Sequence, residues 1–451
     1  MNELIIVGGG LAGCEAAYQA LKRGVSVKLY EMRPLTSTSA HITGNLAELV
    51  CSNSLGSLLP DRASGLLMHE LEKLDSLLLR ISRATAVPSG SSLSVDRNTF
   101  SHKVEQELGK FPNFHLIRYE IKTLPDSPTI LASGPLTSPS LAEAVAKFTG
   151  QNNLFFYDAV APIIFRDSID FSIAFSASRF AAEKGQTADY INCPMSRDEF
   201  DAFVSALVTA DRIPLKIDEK NIVDGVNAGK SKFFEGCLPI EIMAERGQKA
   251  LTFGPMRPIG LMDPRTNQRP YAVAQLRQDD LSGSLYNMVG FQTNLTYPEQ
   301  KRVFRMIPGL KHAEFIRLGQ MHRNTFIASP TVLFPTMQSK IRPDVFFAGQ
   351  ITGIEGYLGN ISSGLLAGIN AVNFLRNSDL LVFPPTTMIG ALCRYITESS
   401  PDHFQPIKAN FGLLPEIKNR YVGRLERTTQ YVENASLAMD TYLQEVGDQL
   451  R

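Results

Sequence analysis

Met1-Asn-Glu-Leu-Ile-Ile-Val-Gly-Gly-Gly-Leu-Ala-Gly13, then Val25-Ser-Val-Lys-Leu-Tyr30 and Glu31, decides the fold. The first apolar run reads as a strand and the three glycines as a tight turn. Leu11 to Lys22 reads as a helix that stops at Gly24, and a second strand follows. This order suits a dinucleotide for physical reasons. Gly8 lets the chain turn sharply, and Gly9 and Gly10 let backbone N–H groups approach a pyrophosphate. Leu11 and Ala12 open a helix whose N-terminus favours negative charge, and Gly13 lets that helix pack on the sheet. Glu31, at the end of the second strand, is placed to accept hydrogen bonds from a ribose.

Outward from this stretch, the 451 residues are enough for two to three domains. Hydrophobic residues at 44% and charged residues at 20% are ordinary for a globular chain, and the zero net charge does not advertise broad nucleic-acid binding. The five cysteines (Cys14, Cys51, Cys193, Cys237, Cys393) form no CxxC pair, so neither a metal site nor a CxxC redox motif is expected, and a reducing cytoplasm fits. No signal peptide or membrane span is expected, because the first apolar run is soon broken by glycines and no long one follows.

A leucine-rich amphipathic helix capped near Ser64 is expected to carry Leu66, Leu67, Leu71, Leu74, Leu77 and Leu78 on one face. Asp96 reads as a helix cap, Phe114 to Tyr119 as a strand and Thr129 to Gly134 as a strand ending in a turn. The middle of the chain has shorter segments and frequent Pro and Gly. Near the C-terminal third the first pattern returns: Pro343-Asp-Val-Phe-Phe-Ala348 enters Gly349-Gln350, and a helix runs to about Arg376. Its Gly364, Gly368 and Ala371 make a small-residue stripe suited to close approach to a flat ligand or a sheet. A last helix is expected from Tyr421 to about Leu450.

Two glycine-rich strand-to-helix elements in one chain suit FAD better than a dissociable nicotinamide. The expected fold is therefore α/β: a Rossmann-like, glutathione-reductase-like FAD-binding domain with an inserted mixed α/β domain. Residues 1–180 form its first part, 181–325 the insertion, and 326–451 its second part with the C-terminal helices. Gly349, Gln350 and Gly364 join the N-terminal motif as cofactor-binding candidates.

The chain also resembles the FAD- and folate-dependent tRNA (uracil-5-)-methyltransferase family TrmFO, related to the GidA/MnmG flavoproteins. The resemblance rests on the N-terminal motif, Ala47-Glu-Leu-Val-Cys-Ser-Asn-Ser-Leu55, Val95-Asp-Arg97, Phe234-Glu-Gly-Cys-Leu-Pro-Ile-Glu241, Met321-His-Arg-Asn-Thr-Phe326 and Phe347-Ala-Gly-Gln-Ile-Thr-Gly353, with further matches along nearly the whole chain. It implies transfer of the methylene carbon of methylenetetrahydrofolate to C5 of a T-loop uridine in tRNA. Reduced FAD and NAD(P)H would supply the electrons. Uracil C5 becomes nucleophilic only after a thiolate adds to C6, and a second group must later take the C5 proton. The resemblance implies Cys51 and Cys237 for these tasks. Cys237 as nucleophile with Cys51 assisting proton removal is our expectation, and the opposite allocation fits nearly as well. Cys14, Cys193 and Cys393 read as packing residues, and His322 and Arg323 as weaker candidates for substrate contact.

Two basic clusters could meet RNA phosphates: Lys301, Arg302, Arg305, Lys311, Arg317 and Arg323, which outnumber Glu299 and Glu314, and Lys418, Arg420, Arg424 and Arg427. The chain departs from the family pattern at Gly56, where Arg is common, at Gly90-Ser-Ser-Leu-Ser94, and at Leu358-Gly-Asn-Ile-Ser362, where a Val-Glu-Ser-Ala-Ala-like run is common. Two other readings compete: an FAD-dependent NAD(P)H oxidoreductase acting on a small molecule, and a tRNA- or partner-binding flavoprotein that transfers no methyl group.

Overall fold

The run Glu3–Val7 forms strand β1, with Leu4, Ile6 and Val7 buried. Gly8 then turns at φ +106°, where a side chain would be both strained and pressed 2.4 Å from the Ala132 carbonyl oxygen. Helix α1 (Leu11–Leu21) follows, then β2 (Ser26–Glu31). We describe a computed structural model, which covers residues 3–152, 154–180, 188–214, 238–247, 249–417, 423–447 and 450.

These elements nucleate a parallel five-stranded sheet in the order Val345–Phe347, Thr129–Leu131, β1, β2, Phe114–Arg118. The strand from the C-terminal third thus pairs at the edge of the N-terminal sheet, beside Thr129–Leu131. The expected α/β, Rossmann-like class stands.

The single leucine-rich helix is two. Helix α2 (Ala63–Lys73) and helix α3 (Leu77–Ala84) are separated by Asp75 at φ +55°, and Ser76 caps the second through its hydroxyl. The leucine spacing continues across the break because both helices bury the same side of the chain in one core. Nor does Ser64 cap α2; the cap position is Arg62, which makes no side-chain bond there.

A second, six-stranded sheet is antiparallel throughout, in the order Phe175–Ser176, Tyr190–Met195, Ala272–Gln278, Leu285–Met288, Ile163–Phe165, Phe315–Arg317. Ile163–Phe165 and Phe175–Ser176, placed by the sequence reading in the first domain, pair into this sheet, and a separate apolar core forms beneath it. The chain passes between the two sheets on Leu154–Ala159 and returns on Met321–Phe326. These two crossing strands pair with each other antiparallel, with Asp158 opposite His322.

The small-residue stripe lies on helix α4 (Tyr357–Leu375), and its partner is neither a ligand nor a sheet. A Cβ on Gly364 would stand 2.2 Å from the Ala12 carbonyl oxygen, and one on Gly368 2.7 Å from that of Ala16. The stripe exists so that α4 can cross the backbone of α1. Helix α5 (Met388–Glu398) and helix α6 (Arg424–Glu445) complete the fold. Among the described residues no helix is long and apolar enough to cross a membrane.

Buried carboxyl groups tie helix ends together. Glu15 accepts from Ser76 Oγ and the Leu77 and Leu78 N–H groups. Glu70 on α2 accepts from the Met388 and Ile389 N–H groups at the start of α5, at 2.7 and 2.9 Å. Burial pushes the Glu70 carboxyl up from 4.5 to about 7, against the pull of those two N–H groups and of Lys73. A raised folded-state value means that the stability it confers is full below about pH 4.5 and is lost as pH rises through about 7. Relative to wild type, Glu70→Gln is therefore expected to gain about 3 kcal/mol between those limits. Urea unfolding at both ends of the window reads the difference, and parallel pH profiles would refute the assignment.

Candidate functional site

The N-terminus of α1 carries no side-chain cap, and a Cβ built on Gly10 meets nothing within 4 Å. Its first-turn N–H groups therefore face an open hollow. Gly8, Gly9, Gly10, Leu11, Ala12 and Glu31 line it on one side, Ser133 to Ser138 on another, and Gly349, Gln350, Tyr357 and Asn360 close it. This is where an anionic pyrophosphate is stabilised. Gly13 does not reach the hollow: its Cβ position lies 1.9 Å from the Gly8 carbonyl oxygen, so glycine there serves the turn. Gly364 likewise acts through α1 and is not part of the wall.

Glu31 lines the hollow and is 5% exposed, but its acceptor sites are already used. Gly9 N–H and Arg33 Nη2 donate to Oε2 at 2.9 and 3.1 Å, while Arg33 N–H and Nε both donate to Oε1 at 2.9 Å. Burial opposes the charge of Glu31, yet the Arg33 guanidinium and these N–H groups hold its carboxyl below the usual range. Arg33 also reaches Glu48 at 3.0 Å. A ribose hydroxyl can bond to Glu31 only by taking a place that Arg33 now holds.

A second hollow opens beyond the first. Val50, Pro135, Leu136, Gln350, Tyr357 and Asn360 belong to both walls, so the two are continuous. They measure about 980 and 1140 Å³, open mouths included, which leaves room for a flavin and a second ligand side by side. The second wall includes Cys51, Asp158, His322, Glu355 and Lys408. The family departures at Gly56 and at Leu358, Gly359 and Asn360 also meet here.

Cys51 sits in a loop whose carbonyl groups are clamped one after another. Arg97 donates to Leu49 and Cys51, at 2.5 and 3.0 Å, and Arg317 donates to Val50 at 3.0 Å. Tyr357 donates its hydroxyl to Ser52 at 2.8 Å and accepts the Cys51 N–H at 3.0 Å. Arg97 is itself paired with Asp279 of the inserted sheet, and Arg277 reaches Asn53 at 3.0 Å. The six-stranded sheet and the residue that follows its strand Ala272–Gln278 thus supply Arg277, Arg317 and Asp279 to fix the Cys51 loop. Burial, and then the neighbouring Cys51, push the Tyr357 phenol up.

The other candidates fall out as follows. Cys237, Lys418 and Arg420 lie outside the described residues. Cys14, Cys193 and Cys393 are buried, and burial pushes the Cys193 and Cys393 thiols up to about 12, which suits packing. His322 is 6% exposed, faces the second hollow and meets Ser39 Oγ through Nδ1 at 3.3 Å. Burial, then Arg317 and His41, lower it to about 4, so its imidazole is neutral near pH 7. Arg323, one residue on along the strand, is exposed and turned away, stacked at 4.2 Å over Phe155. Arg317 belongs to the Cys51 clamp, and Arg302 is paired with Glu299, so the first basic cluster is no continuous free surface. Tyr357, Asp279 and Glu355 escaped the sequence reading. The signal for the last was a lone carboxylate between Ile354 and Gly356, directly after the second glycine element.

Residues of both hollows fit FAD. The uncapped α1 N-terminus would hold its phosphates, and of the buried atoms without a partner among the described residues two lie on these walls: His322 Nε2 on the second and Asn360 Oδ1 on the wall shared by both hollows. The comparisons agree. Residues 3–379 match the family model of glucose inhibited division protein A. The solved structure of Aquifex aeolicus GidA superposes with a TM-score of 0.68 over 99% of this chain and 76% of its own, at 15% identity, which speaks for the fold. A protein of Natranaerobius thermophilus named methylenetetrahydrofolate--tRNA-(uracil-5-)-methyltransferase TrmFO is 51% identical over 95% of this chain and 96% of its own length. One of the same name from Listeria monocytogenes is 51% identical over 98% and 99%. Half-identity along nearly the full length leaves one conclusion: the chain belongs to the glucose inhibited division protein A family and, within it, to the TrmFO methyltransferases.

Proposed function

We infer that this chain methylates C5 of a T-loop uridine in tRNA, taking the carbon from methylenetetrahydrofolate and its electrons from NAD(P)H by way of FAD. The observation that carries the reading is half-identity to TrmFO proteins over nearly every residue. The site supports it: a thiol in a clamped loop stands on the wall of a hollow continuous with the nucleotide site. The α1 N-terminus and its glycines would hold the FAD pyrophosphate, and Gln350, Tyr357 and Asn360 would border the flavin end. When bound, FAD supplies the reducing equivalents.

The protein's own part is to bind, orient and move protons. We assign the C6 attack to Cys237 and proton removal at C5 to Cys51, held by Arg97, Arg317 and Tyr357. Cys237→Ser enzyme that still forms a covalent uracil adduct would reverse that order. The neutral imidazole of His322, facing the same hollow, suits contact with the pterin or the flavin. A tRNA substrate fits a cytoplasmic enzyme.

The test is transfer of labelled methylene carbon from methylenetetrahydrofolate to unmodified tRNA, with FAD and NAD(P)H present. Folate-dependent label in 5-methyluridine is the expected result. Brisk NAD(P)H oxidation without label would move the function to an oxidoreductase acting on a small molecule.

A further inference from the structure

We propose that Glu355 is the acid that opens the ring of methylenetetrahydrofolate in the second hollow. The proposal rests on this hollow as the folate site. Methylenetetrahydrofolate stores its carbon as an aminal, bridging N5 and N10, and the carbon becomes electrophilic only when one C–N bond breaks. The departing nitrogen needs a proton as that happens. In the proposed step the Glu355 O–H proton moves to N10 while the C–N10 bond breaks and its electron pair stays on N10. An iminium cation at N5 and the Glu355 carboxylate remain, so charge balances and no oxidant or reductant is used. The proton that uracil C5 later loses replaces it through solvent.

The geometry is that of a carboxyl kept for such a task. Glu355 lines the hollow that Cys51 lines, yet is only 4% exposed. It sits on the short strand Ile354–Glu355, paired in parallel with Ile407–Lys408 so that Lys408 is its register partner. Oε1 accepts a 2.8 Å hydrogen bond from Gln350 Nε2, which fixes the carboxyl plane at the wall between the two hollows. Asp158, from the crossing strand, is a second carboxylate beside it.

The remaining titratable groups of this wall are Cys51, His322 and Tyr357. Neutral His322 has already lost its acidic proton at neutral pH, and the raised Tyr357 phenol is too weak an acid. Burial, and then the charges of Asp158 and Cys51 against those of Lys408 and the Gln350 bond, push the Glu355 carboxyl up to about 8. It keeps its proton at physiological pH and remains a usable acid.

Glu355→Gln keeps an oxygen for Gln350 to bond, so the wall is preserved. With FAD-loaded enzyme, tetrahydrofolate affinity is expected to stay within about threefold, while single-turnover label transfer falls about 100-fold, the usual scale for a general acid. The wild-type fall in rate as pH rises through about 8 should vanish in the variant. Glu355→Asp should recover part of the rate. Independently of turnover, the infrared difference between wild type and Glu355→Gln should show a protonated carboxyl band that disappears with a midpoint near 8.

A variant with wild-type rates and pH profile, or no such band, would overturn the assignment. So would loss of tetrahydrofolate binding, which would make Glu355 a recognition residue. If the wild-type enzyme itself transfers no label, the functional reading fails. Wild-type transfer with an unimpaired variant sinks only the role of Glu355.

Discussion

Cys51→Ser is expected to lower methyl transfer by about 10³-fold or more and to leave FAD affinity within about threefold. The separation of the two effects follows from how the loop is held. The clamp bonds that reach Leu49 to Ser52 go to main-chain atoms: the carbonyl groups of Leu49, Val50, Cys51 and Ser52, and the N–H of Cys51. Serine keeps all of them and changes one atom. What it loses is the thiol. A serine hydroxyl in the same place stays un-ionised near neutral pH unless a base is aligned with it, whereas a thiol gives and takes a proton in that range. Stopped transfer with intact flavin binding would put Cys51 at the reacting atoms. Transfer within tenfold of wild type would make the cysteine dispensable and shift the chemistry to Cys237 alone. Arg97→Met is a poorer probe. It frees two carbonyl groups and strips the buried Asp279 of its cation, so a dead variant would report a collapsed domain contact as readily as a chemical role.

How much of this site was legible in the sequence depends on the distance over which each part is specified. The nucleotide half is local. Turn, helix start and strand end fall within about 30 residues, and each glycine has a steric reason that can be stated without neighbours. The Cys51 clamp is not local, since Arg97 opens the helix Arg97–Gly109, Arg277 and Arg317 lie on strands of the six-stranded sheet, and Asp279 follows one of them. Arg317 read as one cation in a surface cluster because its real partners, the carbonyl groups of Ala40 and Val50, lie more than 200 residues away. The leucine-rich stretch misled in another way. Its spacing was helical on both sides of Asp75, and a single residue at φ +55° broke the helix without breaking the pattern. Buried carboxyls such as Glu15, Glu70 and Glu355 were silent because a glutamate in a helical or apolar run looks the same whether water or a helix N-terminus receives it. The small-residue stripe lay between these cases: the sequence showed that something comes close, and only the fold showed that it is α1.

That close approach makes one added methyl group on α4 costly for both stability and cofactor binding. Gly364→Ala should cost about 3 kcal/mol or more and weaken FAD binding by at least about tenfold. The added Cβ would stand 2.2 Å from the oxygen, 2.7 Å from the Cα and 2.8 Å from the carbonyl carbon of Ala12. All three are backbone atoms of the first turn of α1, so no side chain can rotate out of the way. Either α4 lifts from α1 or the first turn unwinds, and both outcomes reach the ligand. The first turn of α1 faces the pyrophosphate hollow, and α4 carries Tyr357 and Asn360, which border both hollows. Gly109→Ala provides the contrast. Gly109 is the last residue of the helix Arg97–Gly109, and its added Cβ meets nothing within 4 Å, so the change should be neutral or stabilising by about 0.5–1 kcal/mol. Urea midpoints of the two variants, with and without FAD, separate the explanations. If Gly364→Ala unfolds where wild type does, the stripe is not what seats one helix on the other. If it is destabilised without FAD but recovers full affinity for it, the helices can spread without disturbing the hollow, and the link between packing and cofactor binding is wrong.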